Sequence, residues 1–298
     1  MASAIDTFSQ PREHAPRRRN ARVFQSLPRY VGVVFLAVLF TAPFLFAVST
    51  SLKAPEEIYL FPPRWIPKQI LWGNYQQAWT QAPFAKFFIN TTIVTLLAMV
   101  GQVISASLVA YGFARFEFPG RDALFLLVLG TIILPEEVTL IPTFLIFKSL
   151  GWLDTWKPLI VPAYFGGGAF SIFILRQFLM TLPRDLDQAA EIDGAGTFRI
   201  FWTILMPLSR PAIATVGIFS FLGHWNDFIH PLIYLHTTEK FTISLGLRFY
   251  QQTATAGGPA REHLLMAAAV LSTIPVIIVF FALQRYFVRG IVMSGIKG

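Results

Sequence analysis

The chain has 298 residues, of which 54% are hydrophobic and 13% charged, with a net charge of +8. Soluble domains carry about 25% charged residues, so this composition does not clothe a soluble globule. The absence of Cys excludes a disulfide framework and a thiolate metal site, and the basic residues sit at the edges of apolar runs rather than in an aromatic–basic surface, which argues against nucleic acid as a partner.

Residues 1–29 form a polar, Arg-rich tail. No small-residue cleavage site follows the first apolar run, which is therefore expected to remain as an uncleaved anchor. A helix needs about 20 mostly apolar residues to cross the hydrocarbon core. Six stretches meet that demand: 31–49, 87–113, 123–147, 159–179, 211–235 and 264–287. The third carries Pro135, Glu136, Glu137 and Pro142, which predicts a bent helix. The fifth carries His224, Asn226, Asp227 and His230, and the sixth Pro275. The expectation is an all-α membrane protein with six transmembrane helices over 30–287 and short tails at 1–29 and 288–298. Most of the 24 Lys and Arg residues fall on the side of the termini, including Arg12, Arg17, Arg18, Arg19, Arg22 and Arg29, which places both termini in the cytoplasm. The 53–86 loop, with Trp65, Trp72 and Trp79, then reads as external, and 116–121 as a tight cytoplasmic turn broken by Pro119 and Gly120.

The loop between the fourth and fifth stretches, 181–208, is the most informative. Pro183 can sit at a helix start. Asp185 and Asp187 fall in the first turn, where carboxylates oppose the positive helix end. Leu186, Ala189, Ala190 and Asp193 follow helical spacing, and Gly194 stops the helix. Thr197 is placed to cap a second helix with Phe198, Phe201, Trp202 and Leu205 on its apolar face, ended by Pro207. The residues alone leave two readings open: an amphipathic helix lying on the membrane or bundle, or a small-residue surface for another protein.

This segment resembles the cytoplasmic loop of ATP-binding-cassette import permeases, written Glu-Ala-Ala, three residues, Gly, nine residues, Ile-x-Leu-Pro. The matching residues are Gln188, Ala189, Ala190, Gly194, Ile204, Met206 and Pro207, with every spacing kept. Gln188 replaces the usual Glu and Met206 the usual Leu; Glu191 is the candidate to take over the lost charge. The stretches 90–92, 110–121, 134–142, 225–228, 287–291 and 295–298 also look like the sugar-import branch, and the chain is similar to the smaller permease subunit of the maltose importer.

The resemblance implies the bundle of type I importer permeases in a bacterial cytoplasmic membrane. Its coupling helix, here Asp187, Gln188, Ala189, Ala190, Glu191, Asp193, Gly194 and Ala195, would dock on an ATPase. The implied partners are a second homologous permease, two ATP-binding-cassette ATPase subunits and an extracytoplasmic solute-binding protein. ATP and Mg2+ would reside on the ATPases, and Gly295, Lys297 and Gly298 would reach between them. The chain itself has no phosphate-cradling Gly-rich Lys-Ser/Thr loop and is expected to bind no cofactor and catalyse no reaction.

Charged groups at membrane depth face a cavity or a partner. Glu136, Glu137, Trp225, Asn226 and Asp227 are thus candidates for the pathway or its gating, with packing favoured over direct sugar contact for the last three. Adjacent helical residues point about 100° apart, so at most one of the two Glu faces the pathway. Asn90 reads as a cap or interhelix hydrogen-bonding residue. No residue set has metal-ligand or nucleophile spacing. The alternative is a self-contained secondary transporter, although the paired broken repeats of that class are not visible.

Overall fold

A computed structural model of the chain describes residues 18–255 and 261–295, and every regular element among them is helical. The first, α1 (Arg18–Ser51), begins inside the expected tail: its Arg-rich start joins the apolar stretch without a break. Two short helices follow, α2 (Pro55–Ile58) and α3 (Gly73–Gln81). Then comes α4 (Phe84–Arg115), whose 32 residues make a rod about 48 Å long.

The third expected span is not one helix. It is split into α5 (Arg121–Gly130) and α6 (Glu136–Ser149). Pro135 supplies no N–H and drives Leu134 out of helical geometry, so the chain turns through 131–135 and restarts. The expected bend is therefore a complete break. The fourth span is α7 (Lys157–Ile160), a 3-10 turn (Val161–Tyr164) and α8 (Ala169–Thr181). They are separated by Gly166, Gly167 and Gly168, all at positive φ.

Beyond α8 lie α9 (Asp185–Ile192), α10 (Thr197–Ile200), a π turn (Phe201–Leu205) and α11 (Met206–Leu208). The fifth expected span covers α12 (Arg210–Asn226), broken at Asp227, and α13 (Ile229–Tyr234). The last helices are α14 (Ile243–Thr255) and α15 (Glu262–Gly295). Among the described residues four helical segments are long and apolar enough to cross a membrane: Tyr30–Ser51, Phe84–Arg115, Lys157–Thr181 and Glu262–Gln284. Thr197–Leu208 with Arg210–Asn226, bent by 80°, makes a fifth if counted as one.

The bundle is organised around α4, which packs on α8 and α12, while α15 packs on α12 and α1. Small residues on α4 allow that approach: Ala98, Ala106 and Ala110 have no exposed surface. Polar groups reinforce it. Gln102 donates to Ser171 Oγ (3.0 Å) and accepts from Ser220 Oγ (2.7 Å). Asn90 is buried and its amide donates to the carbonyls of Glu239 (2.8 Å) and Phe241 (2.9 Å), which lie in the connection before α14 rather than on a neighbouring α-helix.

A connection at this same end of α4 is tied by Asp154, a non-glycine residue at φ 54. Its carboxylate accepts from Lys240 Nζ (2.7 Å) and from the backbone N–H groups of Thr237 (2.9 Å) and His236 (3.0 Å). The Lys240 hydrogen bond, with those from Thr237 and His236, holds its carboxyl well below the usual aspartate range. The resulting stabilisation is complete above about pH 3.9 and is lost as the pH falls from there toward the lowered folded value. Asn tolerates the left-handed region, so Asp154→Asn isolates the charge. It should cost about 1 kcal/mol in this partly solvated setting and abolish the acid sensitivity, measured as protease resistance of the 150–160 and 235–241 segments against pH.

Candidate functional site

The 181–208 loop forms a seated helix–turn–helix. Leu182 leaves α8 extended, and α9 starts after Pro183 and Arg184. Asp193 and Gly194 end it in a Schellman turn. Gly194, at φ +79, donates to Glu191 O (3.0 Å), and Ala195 N donates to Ala190 O (2.9 Å). The glycine stop is as expected. The Thr197 cap is not: Gly196 occupies the N-cap, Thr197 is the first helical residue, and no side-chain cap bond forms. Nor does Pro207 end the second helix. The π turn carries the chain onto Met206–Leu208, and the break falls at Ser209.

The two alanines of the motif part company. Ala190 is 7% exposed and packs in a cluster that includes Tyr111, Ile200 and Phe201. Gln188, Ala189, Glu191, Asp193 and Gly194 are exposed, and Ala195 is half-buried against the cluster. Ile192 (87% exposed), three residues after Ala189 on α9, and Phe198 (67% exposed) on α10 add exposed apolar side chains to the loop. Phe201 and Leu205 of the expected apolar face are buried, whereas Phe198 and Trp202 point out.

The ion pair at the loop's base is made by Asp187. Its Oδ2 lies 2.9 Å from Arg115 Nε at the end of α4. Burial pushes the Asp187 carboxyl up, and the guanidinium opposes that shift. Arg115 also donates from Nη1 and Nη2 to Leu182 O, both at 3.2 Å. Tyr111 hydroxyl donates to Thr197 O (3.3 Å). A cleft of about 250 Å³ lies between these groups, lined by Tyr111, Arg115, Asp187, Glu191 and Thr197 among others. In the sequence, Arg115 is legible as a basic residue ending an apolar run, within the family-like 110–121 stretch, but its partner Asp187 is not.

A second constellation joins the two helix breaks. Glu136 and Glu137 occupy the first turn of α6, where the helix dipole favours them. Glu136 Oε1 lies 3.2 Å from His230 Nε2, and His230 Nδ1 lies 3.0 Å from Asp227 Oδ2. One imidazole thus bridges α6 to the α12–α13 break. Glu137 is exposed. Trp225 is a core residue, 4% exposed, stacked on Phe221 and donating to Ser272 O (3.1 Å). Asn226 is exposed and donates to Leu222 O (2.9 Å). The sequence gives His230 no role, because its partner Glu136 lies on a distant helix. Among the described residues no metal-binding cluster occurs. Gly295 ends α15, while Lys297 and Gly298 lie outside the described residues.

Residues 102–293 match the family described as binding-protein-dependent transport system inner membrane component. The chain belongs to that family of transport permeases. The permease is 33% identical over 283 residues to the sn-glycerol-3-phosphate transport system permease protein of Yersinia pestis, covering 93% of this chain and 98% of that one. It is also 33% identical over 263 residues to the diacetylchitobiose uptake system permease protein of Streptomyces coelicolor, covering 88% and 86%. Its fold is that of a chain in a bacterial ABC transporter involved in the import of the acidic polysaccharide alginate, with a TM-score of 0.77 at 24% identity over 92% of this permease and all of that chain.

Proposed function

We propose that the permease forms half of the translocation pathway of an ATP-driven bacterial importer for a sugar or related solute. Six crossings with both termini in the cytoplasm accommodate the broken third and fifth spans, α5–α6 and α12–α13, as polar-lined segments facing a pathway. A second homologous permease completes the pathway, and an extracytoplasmic binding protein delivers solute. Two ATPases carry ATP and Mg2+; this chain hydrolyses nothing.

The observation that carries the reading is the 183–207 helix–turn–helix. It is seated on α4 by Ala190 and Asp187 while Ala189, Ile192 and Phe198 face outward. An apolar, small-residue surface rimmed by charge is what a protein partner covers. The sugar class is supported by relatives named for glycerol phosphate and diacetylchitobiose, both rich in hydroxyl groups.

The test is uptake by proteoliposomes holding the assembled permeases and ATPases, with ATP inside and loaded binding protein outside. Uptake is expected only when ATP and the ATPases are both present. Uptake by the permease alone, driven by an ion gradient, would replace this reading with a secondary transporter.

A further inference from the structure

Arg115 does more than end α4. Its side chain is 7% exposed, and all three guanidinium nitrogens face the loop: two on Leu182 O at 3.2 Å and one on Asp187 at 2.9 Å. No other cation among the described residues lies within salt-bridge reach of Asp187. Both Asp187 oxygens and Arg115 Nε are buried without an in-line hydrogen bond, so the contact is an ion pair in which Arg115 is the nearest compensating charge, with Arg184 acting from farther off. One turn earlier, Tyr111 holds the far side of the loop at Thr197 O and lies 5.0 Å from the Phe201 ring. The end of α4, through Arg115 and Tyr111, therefore grips Leu182 before α9, Asp187 within it and Thr197 after it.

The covalent routes from the loop into the bundle are each interrupted. Toward α8 the chain passes through extended Leu182 and then Pro183. Toward α12 it passes a break at Ser209 with an 80° bend. A short link at a bend absorbs rotation, whereas a planar fork held at three atoms transmits it. The α4 rod leads away from the grip, packed on both α8 and α12 and ending at the polar contacts of Asn90 and Thr91 with the 239–243 segment.

We propose that Arg115 is a positioning residue, and that displacement of the loop enters the bundle through α4 by way of the Arg115 grip on Leu182 and Asp187. This rests on the proposed coupling to an ATPase and specifies the route the coupling takes.

The experiment uses the complete importer in nanodiscs with its binding protein. It measures ATP hydrolysed per solute moved, together with the amount of ATPase that co-purifies. Arg115→Gln should keep the ATPases attached yet raise the ATP consumed per solute by about tenfold. Arg115→Lys, which holds Asp187 but cannot fork onto Leu182 O, should fall between. Exchange of the charges, Arg115→Asp with Asp187→Arg, should recover part of the loss seen with Arg115→Asp alone. An unchanged ATP-to-solute ratio in Arg115→Gln at wild-type assembly overturns the proposal. So does loss of the ATPases from both single variants Arg115→Gln and Arg115→Lys, since Arg115 would then only support the docking face. If Arg115→Gln alone fails to assemble, the ratio in Arg115→Lys decides in the same way. A wild-type complex whose uptake ignores ATP would instead defeat the importer reading itself.

Discussion

Ala189→Arg is expected to abolish uptake in a protein that still inserts and folds. Ala189 is exposed on α9, one turn before the exposed Ile192, so the longer side chain extends into solvent in the isolated chain. Such a surface change alters folding stability by about 0.5 kcal/mol or less. Against a partner, the same side chain props the surfaces apart and buries a charge without a mate. Interface centres answer such insults with about 2 kcal/mol or more, roughly thirtyfold in affinity. Ala190→Arg is the control that separates docking from seating. Ala190 is packed among Tyr111, Ile200 and Phe201, so overpacking and a buried charge would unseat the loop at a cost of about 3 kcal/mol. Ala189→Arg should keep the wild-type melting temperature and lose ATPase co-purification, whereas Ala190→Arg loses both. Wild-type uptake by Ala189→Arg at matched expression would remove the outward face from the coupling account.

Much of this could be read from the sequence because membrane helices announce themselves. The stretch expected at 87–113 is the apolar heart of Phe84–Arg115, and 264–287 lies inside Glu262–Gly295. The turn at Gly194 was legible because a helix stop in left-handed geometry selects glycine. Breaks were harder. Pro135 signals an interruption in any helix, but whether the helix bends or restarts depends on what packs around it. At Asp227 no proline or glycine intervenes; the N-cap of α13 is Phe228, and the Asp227 carboxylate accepts from His230 N (3.2 Å) in the first turn of α13. Thr197 was expected to cap because its hydroxyl suits the role, yet Gly196 takes the extended position and leaves Thr197 inside. The pairs Arg115–Asp187 and Glu136–His230 were out of reach for one reason. Each joins residues on different helices, and spacing along one helix carries no information about a neighbour's face.

Gly167→Ala should be the most damaging single-methyl change in the fourth span. Gly167 sits at φ +63, and a Cβ there would lie 2.4 Å from Ala106 N, 2.6 Å from Ala106 Cβ and 2.7 Å from Ala106 Cα. These atoms belong to the buried middle of α4, so no side-chain rotation relieves the clash. The left-handed conformation costs an alanine about 1–2 kcal/mol, and overpacking against a helix backbone adds about 1–3 kcal/mol. Together they are a large fraction of the 5–15 kcal/mol by which folded proteins are typically stable. The neighbours isolate the steric part. A methyl added at Gly166 (φ +100) would meet nothing within 4 Å, and one at Gly168 (φ +76) would meet only Gln102 Nε2 at 3.6 Å. Gly166→Ala and Gly168→Ala therefore carry backbone strain without the collision. Thermal melts of the three variants in the assembled importer should show the largest loss at Gly167. Equal losses would mean that strain alone governs this crossing, and that the approach of the glycine turn to α4, pinned by the Gly166 N–H to Ser105 Oγ bond at 2.7 Å, is looser than its geometry indicates.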